Sequence, residues 1–148
     1  MKKNIIYFLL LALLMTSFIS FGDSTDIRHI CEELLVKRAE AWNNIFIEGY
    51  SYSNFHSDMS KIAAGELLKE DLDTFIYFKQ NPTSFERVIS VKFTDKEIKR
   101  EKDKVFITGK VIWELEGESG VETVENDYSI ELEKYNQNWY ITKFEPVE

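Results

Sequence analysis

The C-terminal half of the chain alternates apolar and polar residues, and this alternation constrains the fold more than any other feature. A period of two is the spacing of side chains on one face of a β-strand. Short polar stretches between the alternating segments indicate turns, so four segments predict an antiparallel meander. The apolar positions are Ile89, Val91 and Phe93; Val105, Ile107, Val111, Trp113 and Leu115; Val124, Tyr128, Ile130 and Leu132; and Trp139 to Phe144.

The second and third predicted strands specify their own register. Pairing Gly109 with Tyr128 aligns the apolar residues of both strands on one face, where we expect the tyrosine ring to cover the glycine backbone. The same pairing sets Lys110 opposite Asp127 on the other face, and directly opposed charges stabilise a strand pair. The predicted pairs are Leu115–Glu122, Trp113–Val124, Lys110–Asp127, Gly109–Tyr128, Ile107–Ile130 and Lys104–Glu133.

The first predicted strand breaks its alternation once. Its apolar residues have odd numbers as far as Phe93, whereas Ile98 has an even number. Because a slip of one residue turns every later side chain to the other face, we predict a bulge between Thr94 and Glu97. A bulge bends a sheet, and a bent sheet with helices on its inner side encloses a cavity.

The residues before the strands have helical spacing. Candidate N-caps at Asp23–Asp26 precede an apolar stripe in three- and four-residue steps, which predicts a helix ending near Gly49. The segment Tyr50–His56 has no clear period and predicts a loop or a short irregular turn. A second helical region is predicted from Ser57 to just before Pro82. The predicted fold is therefore α+β, with N-terminal helices packed on one face of a bent four-stranded antiparallel sheet.

Residues 1–22 have the pattern of an export signal, and we call them the leader. Two lysines at positions 2 and 3 precede an uncharged run from Ile5 to Phe21. Small residues at positions 20 and 22 predict cleavage before Asp23. The alternative is an uncleaved membrane anchor, because the apolar run approaches the roughly 20 residues that span a bilayer. We expect one domain over residues 23–148, either secreted or on the outer face of the cytoplasmic membrane, with membrane contact only through the leader.

Charge and cysteine content exclude several classes of function. All 26 acidic residues follow position 22 and two of the 18 basic residues precede it, so the predicted domain has a net charge of −10. Such a surface repels phosphate, which argues against nucleic acid as a partner. The one cysteine, Cys31, excludes an internal disulfide and any site built on several cysteines. Cys31 is predicted to be a buried small residue on the stripe of the first helix.

The order of elements resembles the nuclear transport factor 2-like superfamily. A long helix, a second helical region and a bent sheet ending in a short aromatic strand carry the resemblance, which covers Asp26 to Val147. The segments Lys104–Val111 and Asn138–Thr142 add to it. The resemblance implies a cone-shaped domain. Some members are enzymes such as steroid isomerases and polyketide cyclases, many only bind ligands or proteins, and some are extracytoplasmic subunits of conjugation machines.

Residues suited to catalysis are sparse. Steroid isomerases need a carboxylate base with tyrosine and acid donors in the pocket, but the first helix contains no tyrosine. We expect His29 to face solvent. Three adjacent residues cannot form a triad, so His56-Ser57-Asp58 is better explained by helix capping through Ser57 or Asp58. No two histidines have metal-ligand spacing. We predict no catalytic residue, no metal and no cofactor.

Two polar residues merit attention because of the apolar faces near them. Asp71 lies closest to the stripe of the second helical region, and we expect it to be exposed because aspartate is seldom buried. Asn126 is predicted on the inner face of the sheet, where an amide needs a partner or a ligand. We predict a mostly apolar space between the first helix and the sheet, which Val111 also borders. The predicted ligand-binding residues are Trp42, Phe46, Trp113, Asn126 and Tyr128.

These patterns favour a non-catalytic extracytoplasmic module that binds a small apolar ligand or a protein partner. Two alternatives remain. One is a small isomerase- or dehydratase-like enzyme that works in the pocket of the cone. The other is a membrane-anchored subunit of an envelope or conjugation assembly, which an uncleaved leader would favour.

Overall fold

Three helices and one four-stranded sheet make up the fold of the described residues. A computed structural model describes residues 23–81, 86–117 and 120–147, so the leader and the chain around Pro82 lie outside the described residues. The strands form an antiparallel sheet in the order β1-β2-β3-β4, and helices pack against it. This confirms the predicted α+β fold. The elements are α1 (Asp23–Asn43), a 3-10 turn (Asn44–Phe46), α2 (Tyr52–Met59), α3 (Gly65–Gln80), β1 (Arg87–Glu101), β2 (Lys104–Gly117), β3 (Gly120–Tyr135) and β4 (Asn138–Pro146).

The helix α2 corrects the prediction of a loop over Tyr50–His56. It begins after Ser51, whose side chain accepts a hydrogen bond from the backbone N–H of Asn54 at 3.2 Å. Ser57 and Asp58, predicted as caps, lie inside this helix instead. Only Phe55 and Met59 of α2 are buried. Two buried apolar residues among eight do not establish a helical period, so the sequence pattern did not reveal this helix.

The predicted register of the β2–β3 hairpin is confirmed. All six predicted pairs are observed, including Gly109 opposite Tyr128. The predicted bulge is confirmed too, since the pairing of β1 with β2 shifts between Asp95 and Glu97. Two further irregularities, between Val88 and Ser90 and between Glu131 and Leu132, had no signal in the sequence.

The ring that covers Gly109 is not the one we expected. A Cβ atom at Gly109 would lie 2.5 Å from Cε2 of Phe93 and 2.7 Å from the carbonyl oxygen of Thr94. The ring of Phe93, on the neighbouring strand β1, therefore occupies this space. Tyr128 stacks on Phe144 instead, with ring centroids 4.2 Å apart.

Contacts at both ends of α1 hold this helix along β1. At one end the Asn43 amide donates to the carbonyl oxygen of Val88 at 2.7 Å and accepts from its N–H at 2.9 Å. At the other end Arg28 forms an ion pair with Asp95. Cys31 lies between them and is fully buried, as predicted. The inner face of the sheet is thus placed beneath α1.

The outer face of the sheet, away from the helices, carries cross-strand ion pairs. Lys110 lies opposite Asp127 but contacts the diagonal Glu125 at 2.8 Å, while Asp127 contacts Lys96 at 2.5 Å. Exposed pairs of this kind contribute about 0 to 1 kcal/mol each. Their main consequence is a charged, solvated surface on this side of the domain.

Candidate functional site

The inner face of the sheet is covered along most of its length and becomes exposed toward the β2–β3 turn. Val111 and Ile130 are buried. Asn126, which pairs with Val111 and so lies on the same face, is exposed. Val124, two residues further on that face, is 38% exposed. A molecule from solvent therefore has access to this end of the inner face.

Three aromatic residues meet at the border between the covered and exposed parts. The ring of Tyr128 stacks on that of Phe144 at an interplanar angle of 17°. Trp113 meets Phe144 edge to face, with centroids 6.2 Å apart. Each of the three side chains is half-buried. We call Trp113, Tyr128 and Phe144 the ring cluster.

A buried ion pair lies beside the ring cluster. Arg38 of α1 donates from Nε to Oδ2 of Asp71 at 2.9 Å and from Nη2 to Oδ1 at 2.5 Å. Only 4% of the Asp71 side chain and 15% of the Arg38 side chain are exposed. The expectation that Asp71 is exposed was wrong, because Arg38 gives the carboxylate a partner for both oxygens.

Arg38 also joins the ion pair to the ring cluster. Its guanidinium carbon lies 5.1 Å from the centroid of the Phe144 ring. This is the geometry of a cation–π contact. The site therefore combines groups from α1, α3 and three strands in one place.

The five residues predicted to bind a ligand have different surroundings. Trp113 and Tyr128 come together against Phe144, and Asn126 lies on the same face of the sheet. Trp42 is buried and packs against Phe55 at 4.7 Å and Phe78 at 5.7 Å, so it contributes to the core among the helices. Phe46 is 42% exposed, with the guanidinium of Arg87 5.5 Å above its ring.

Comparison with solved structures identifies the fold. An NTF-2-like protein of unknown function from Shewanella oneidensis MR-1 matches with a TM-score of 0.51 and 22% identity, over 81% of this chain and 98% of that chain. A variant of the designed protein Rd1NTF2_05 matches with a TM-score of 0.50 and 14% identity, over 84% and 100%. The chain has the nuclear transport factor 2-like fold.

The likeness to these proteins is one of fold. No protein-family model matches the chain, and no curated protein matches its sequence. A fold of this kind hosts many functions, so activity has to be argued from the site. Within the nuclear transport factor 2-like fold, the candidate site of this chain is the ring cluster with Arg38 and Asp71.

Arg38 and Phe144 are the site residues that sequence reasoning missed, and a signal for the ion pair was present. Arg38 lies four residues after Leu34 and four before Trp42, on the apolar stripe of α1. Asp71 holds the same position between Leu67 and Phe75 on α3. Opposite charges on the inward stripes of two helices indicate a pair, because an unpaired buried charge is costly.

Arg38 and Asp71, the ion pair of the site, are occupied by one another. Both oxygens of Asp71 accept from Arg38. Elsewhere in the domain, burial and then a hydrogen bond to Asp58 raise the pKa of Tyr50 to about 12, so this phenol is protonated at neutral pH. His29 and His56 are exposed. Among the described residues, no group of acidic, histidine or cysteine side chains is arranged to hold a metal ion.

Three surface cavities in the described part of the chain have charged rims. One of about 280 Å³ and one of about 460 Å³ lie along α1 and share Lys37 and Lys61. A third, of about 290 Å³, borders Phe144, and four of its eight lining residues are glutamates. No helix in the described ranges is long and apolar enough to cross a membrane. The ring cluster, in contrast, consists of half-buried aromatic side chains that lie next to the buried pair of Arg38 and Asp71.

Proposed function

We propose that the domain is an extracytoplasmic, non-catalytic binding module that holds a small, mostly apolar ligand on the ring cluster. The observation that carries this proposal is the position of three half-buried rings at the exposed end of the inner face. Aromatic side chains with a few polar groups nearby are typical of small-molecule sites. Asn126 and Arg38 are the polar groups here.

The arrangement of charges supports binding rather than catalysis. General acid–base catalysis uses a group that exchanges a proton near the working pH and lies within hydrogen-bond reach of the substrate. Asp71 has both oxygens engaged by Arg38, whose guanidinium stays protonated. The Asn126 amide can orient a ligand but does not take up a proton. The isomerase- or dehydratase-like alternative lacks its acid and base among these residues.

A ligand-observed NMR screen of small ring compounds tests the binding proposal. The sample is the protein recovered after expression of the full chain. We expect some compounds to bind the wild type and to lose binding in Trp113→Ala. Trp139→Ala is the matched control, since Trp139 is also half-buried but contacts Lys134 elsewhere. Equal binding to the Trp113→Ala variant, or consumption of a bound compound by the wild type alone, would overturn the proposal.

The extracytoplasmic location rests on the leader, and its test is independent of the ligand. Mass spectrometry of the protein recovered from the envelope or the medium gives the mature N-terminus. A start at Asp23 or a near neighbour is the expected result. An intact Met1 end in the membrane fraction would favour the alternative of an anchored subunit of an envelope assembly.

A further inference from the structure

We propose that Arg38 selects the ligand, by donating a hydrogen bond from Nη1 to a neutral oxygen acceptor on a ring compound held by the ring cluster. The ligand class is thus an uncharged aromatic or alicyclic compound with a carbonyl-type oxygen. This inference rests on the proposed binding function and adds the chemistry of the ligand to it.

The donors of Arg38 are only partly used. A guanidinium has five N–H groups. Two of them, one on Nε and one on Nη2, point to Asp71. Within the described ranges, no residue accepts a hydrogen bond from Nη1. The Arg38 side chain is 15% exposed, so solvent or a ligand reaches its remaining N–H donors. Among the described residues, Nη1 is not one of the buried polar atoms that lack a partner, so solvent reaches this donor and a ligand oxygen can take the place of water there.

The position of the guanidinium ties this acceptor to the ring cluster. Arg38 lies over the ring of Phe144 at 5.1 Å, and Trp113 and Tyr128 contact the same ring. A ring compound that packs against these side chains lies beside the guanidinium. Its apolar body then contacts aromatic rings while one oxygen meets Nη1.

The charge balance of the site favours a neutral acceptor over an anion. The bidentate contact with Asp71 compensates the positive charge of Arg38. A carboxylate ligand would lie close to the Asp71 carboxylate, and like charges near each other in a partly buried site repel strongly. The net charge of −10 beyond the leader adds to this repulsion. A neutral carbonyl oxygen accepts the same hydrogen bond without that cost.

Three compounds of matched shape test the inference. Acetophenone offers a neutral oxygen, ethylbenzene offers none, and benzoate offers an anion. Their dissociation constants for the wild-type protein come from ligand-observed NMR titration. We expect acetophenone to bind about tenfold or more tighter than ethylbenzene, the range of a hydrogen bond from a charged donor. We expect benzoate to bind more weakly than acetophenone.

Two variants separate Arg38 from Asp71. In the double variant Arg38→Met/Asp71→Leu, apolar side chains of similar size replace the pair. We expect acetophenone and ethylbenzene to bind it equally. In Asp71→Asn the donor remains but the negative charge is gone, so we expect benzoate to gain at least about tenfold relative to acetophenone.

Each outcome separates this inference from the proposed function. If acetophenone and ethylbenzene bind the wild type equally, the ring cluster binds ligands but Arg38 does not select them. If benzoate binds the wild type most tightly, the site prefers anions and the inference is wrong. A preference for acetophenone that persists in Arg38→Met/Asp71→Leu also overturns it. If none of the three compounds binds while other compounds of the NMR screen do, the inference is wrong and the proposed function stands.

Discussion

Arg38 and Asp71 form a two-point contact between α1 and α3, in which Nε donates to Oδ2 at 2.9 Å and Nη2 donates to Oδ1 at 2.5 Å. Both side chains are largely removed from water. Desolvation of two such charges costs several kcal/mol, which their attraction and hydrogen bonds offset only when both partners are present. The pair therefore holds the two helices in one arrangement beside the ring cluster.

The first prediction concerns the stability of this pair. Arg38→Met leaves the Asp71 carboxylate buried without a partner, so we expect the free energy of unfolding to fall by about 3 to 5 kcal/mol. Replacing both residues, as Arg38→Met/Asp71→Leu, should restore stability to within about 1 kcal/mol of the wild type or exceed it. Urea unfolding monitored by circular dichroism measures both. A double variant as unstable as the single one would contradict the argument.

How much of this structure the sequence predicts depends on whether a contact is local. The β2–β3 hairpin was predictable pair by pair because two independent signals agreed, the apolar alternation around Gly109 and Tyr128 and the opposed charges of Lys110 and Asp127. The bulge between Asp95 and Glu97 was predictable because it reverses the alternation. These signals lie within strands that are adjacent in sequence.

The site itself depends on contacts between distant elements. Arg38 and Asp71 are separated by 33 positions, and although each lies on the apolar stripe of its helix, neither helix alone shows which residue of the other it meets. The same holds for Phe93, which covers Gly109 from the neighbouring strand. The alternation of side chains along β3 assigned Asn126 to the correct face of the sheet, but it did not show that the helices stop short of this residue. Packing of helices on the sheet decides these features.

The close approach at Gly109 gives a second prediction. A methyl group at this position would clash with the Phe93 ring and with the Thr94 backbone, so we expect Gly109→Ala to cost about 1 to 3 kcal/mol of unfolding free energy. Gly117→Ala is the control, because its Cβ would meet only the side chain of Glu122, at 3.1 Å. Thermal and urea unfolding of both variants test this. Equal losses of unfolding free energy in the two variants would show that a methyl group fits at Gly109 as readily as at Gly117.

The buried thiol of Cys31 gives a third prediction. Burial, with smaller contributions from Asp95 and Glu32, raises its pKa from 9.0 to about 12. The thiolate is the reactive form, so native protein should resist a thiol reagent at pH 8 and react fully once unfolded in urea. Rapid labelling of the native protein would contradict the buried position.

The same raised pKa predicts a dependence of stability on pH. Between pH 9 and pH 12 the folded state retains the thiol proton that the unfolded state has lost, so stability falls as pH rises through this window. The slope from this one group is about 1.4 kcal/mol per pH unit. Subtracting the unfolding free energies of Cys31→Ala from those of the wild type isolates it, since other titrating groups are common to both. A difference that does not change with pH would show that the thiol titrates normally.

The last prediction separates ligand binding from stability at Asn126. This side chain is exposed on the inner face of the sheet, and among the described residues it has no hydrogen-bond partner. We therefore expect Asn126→Ala to change the free energy of unfolding by no more than about 0.5 kcal/mol. If the Asn126 amide faces a bound ring compound, it offers a hydrogen-bond partner to a second polar group on that compound.

The corresponding measurement compares 4-hydroxyacetophenone with acetophenone. We expect the hydroxyl to tighten binding to the wild type by about two- to tenfold, the range of a neutral hydrogen bond. Asn126→Ala should abolish this gain. Thr123→Ala, a change at an exposed residue on the outer face of the same strand, should keep it. A gain that survives in Asn126→Ala would place the hydroxyl of the bound compound away from this amide, and would remove Asn126 from the site.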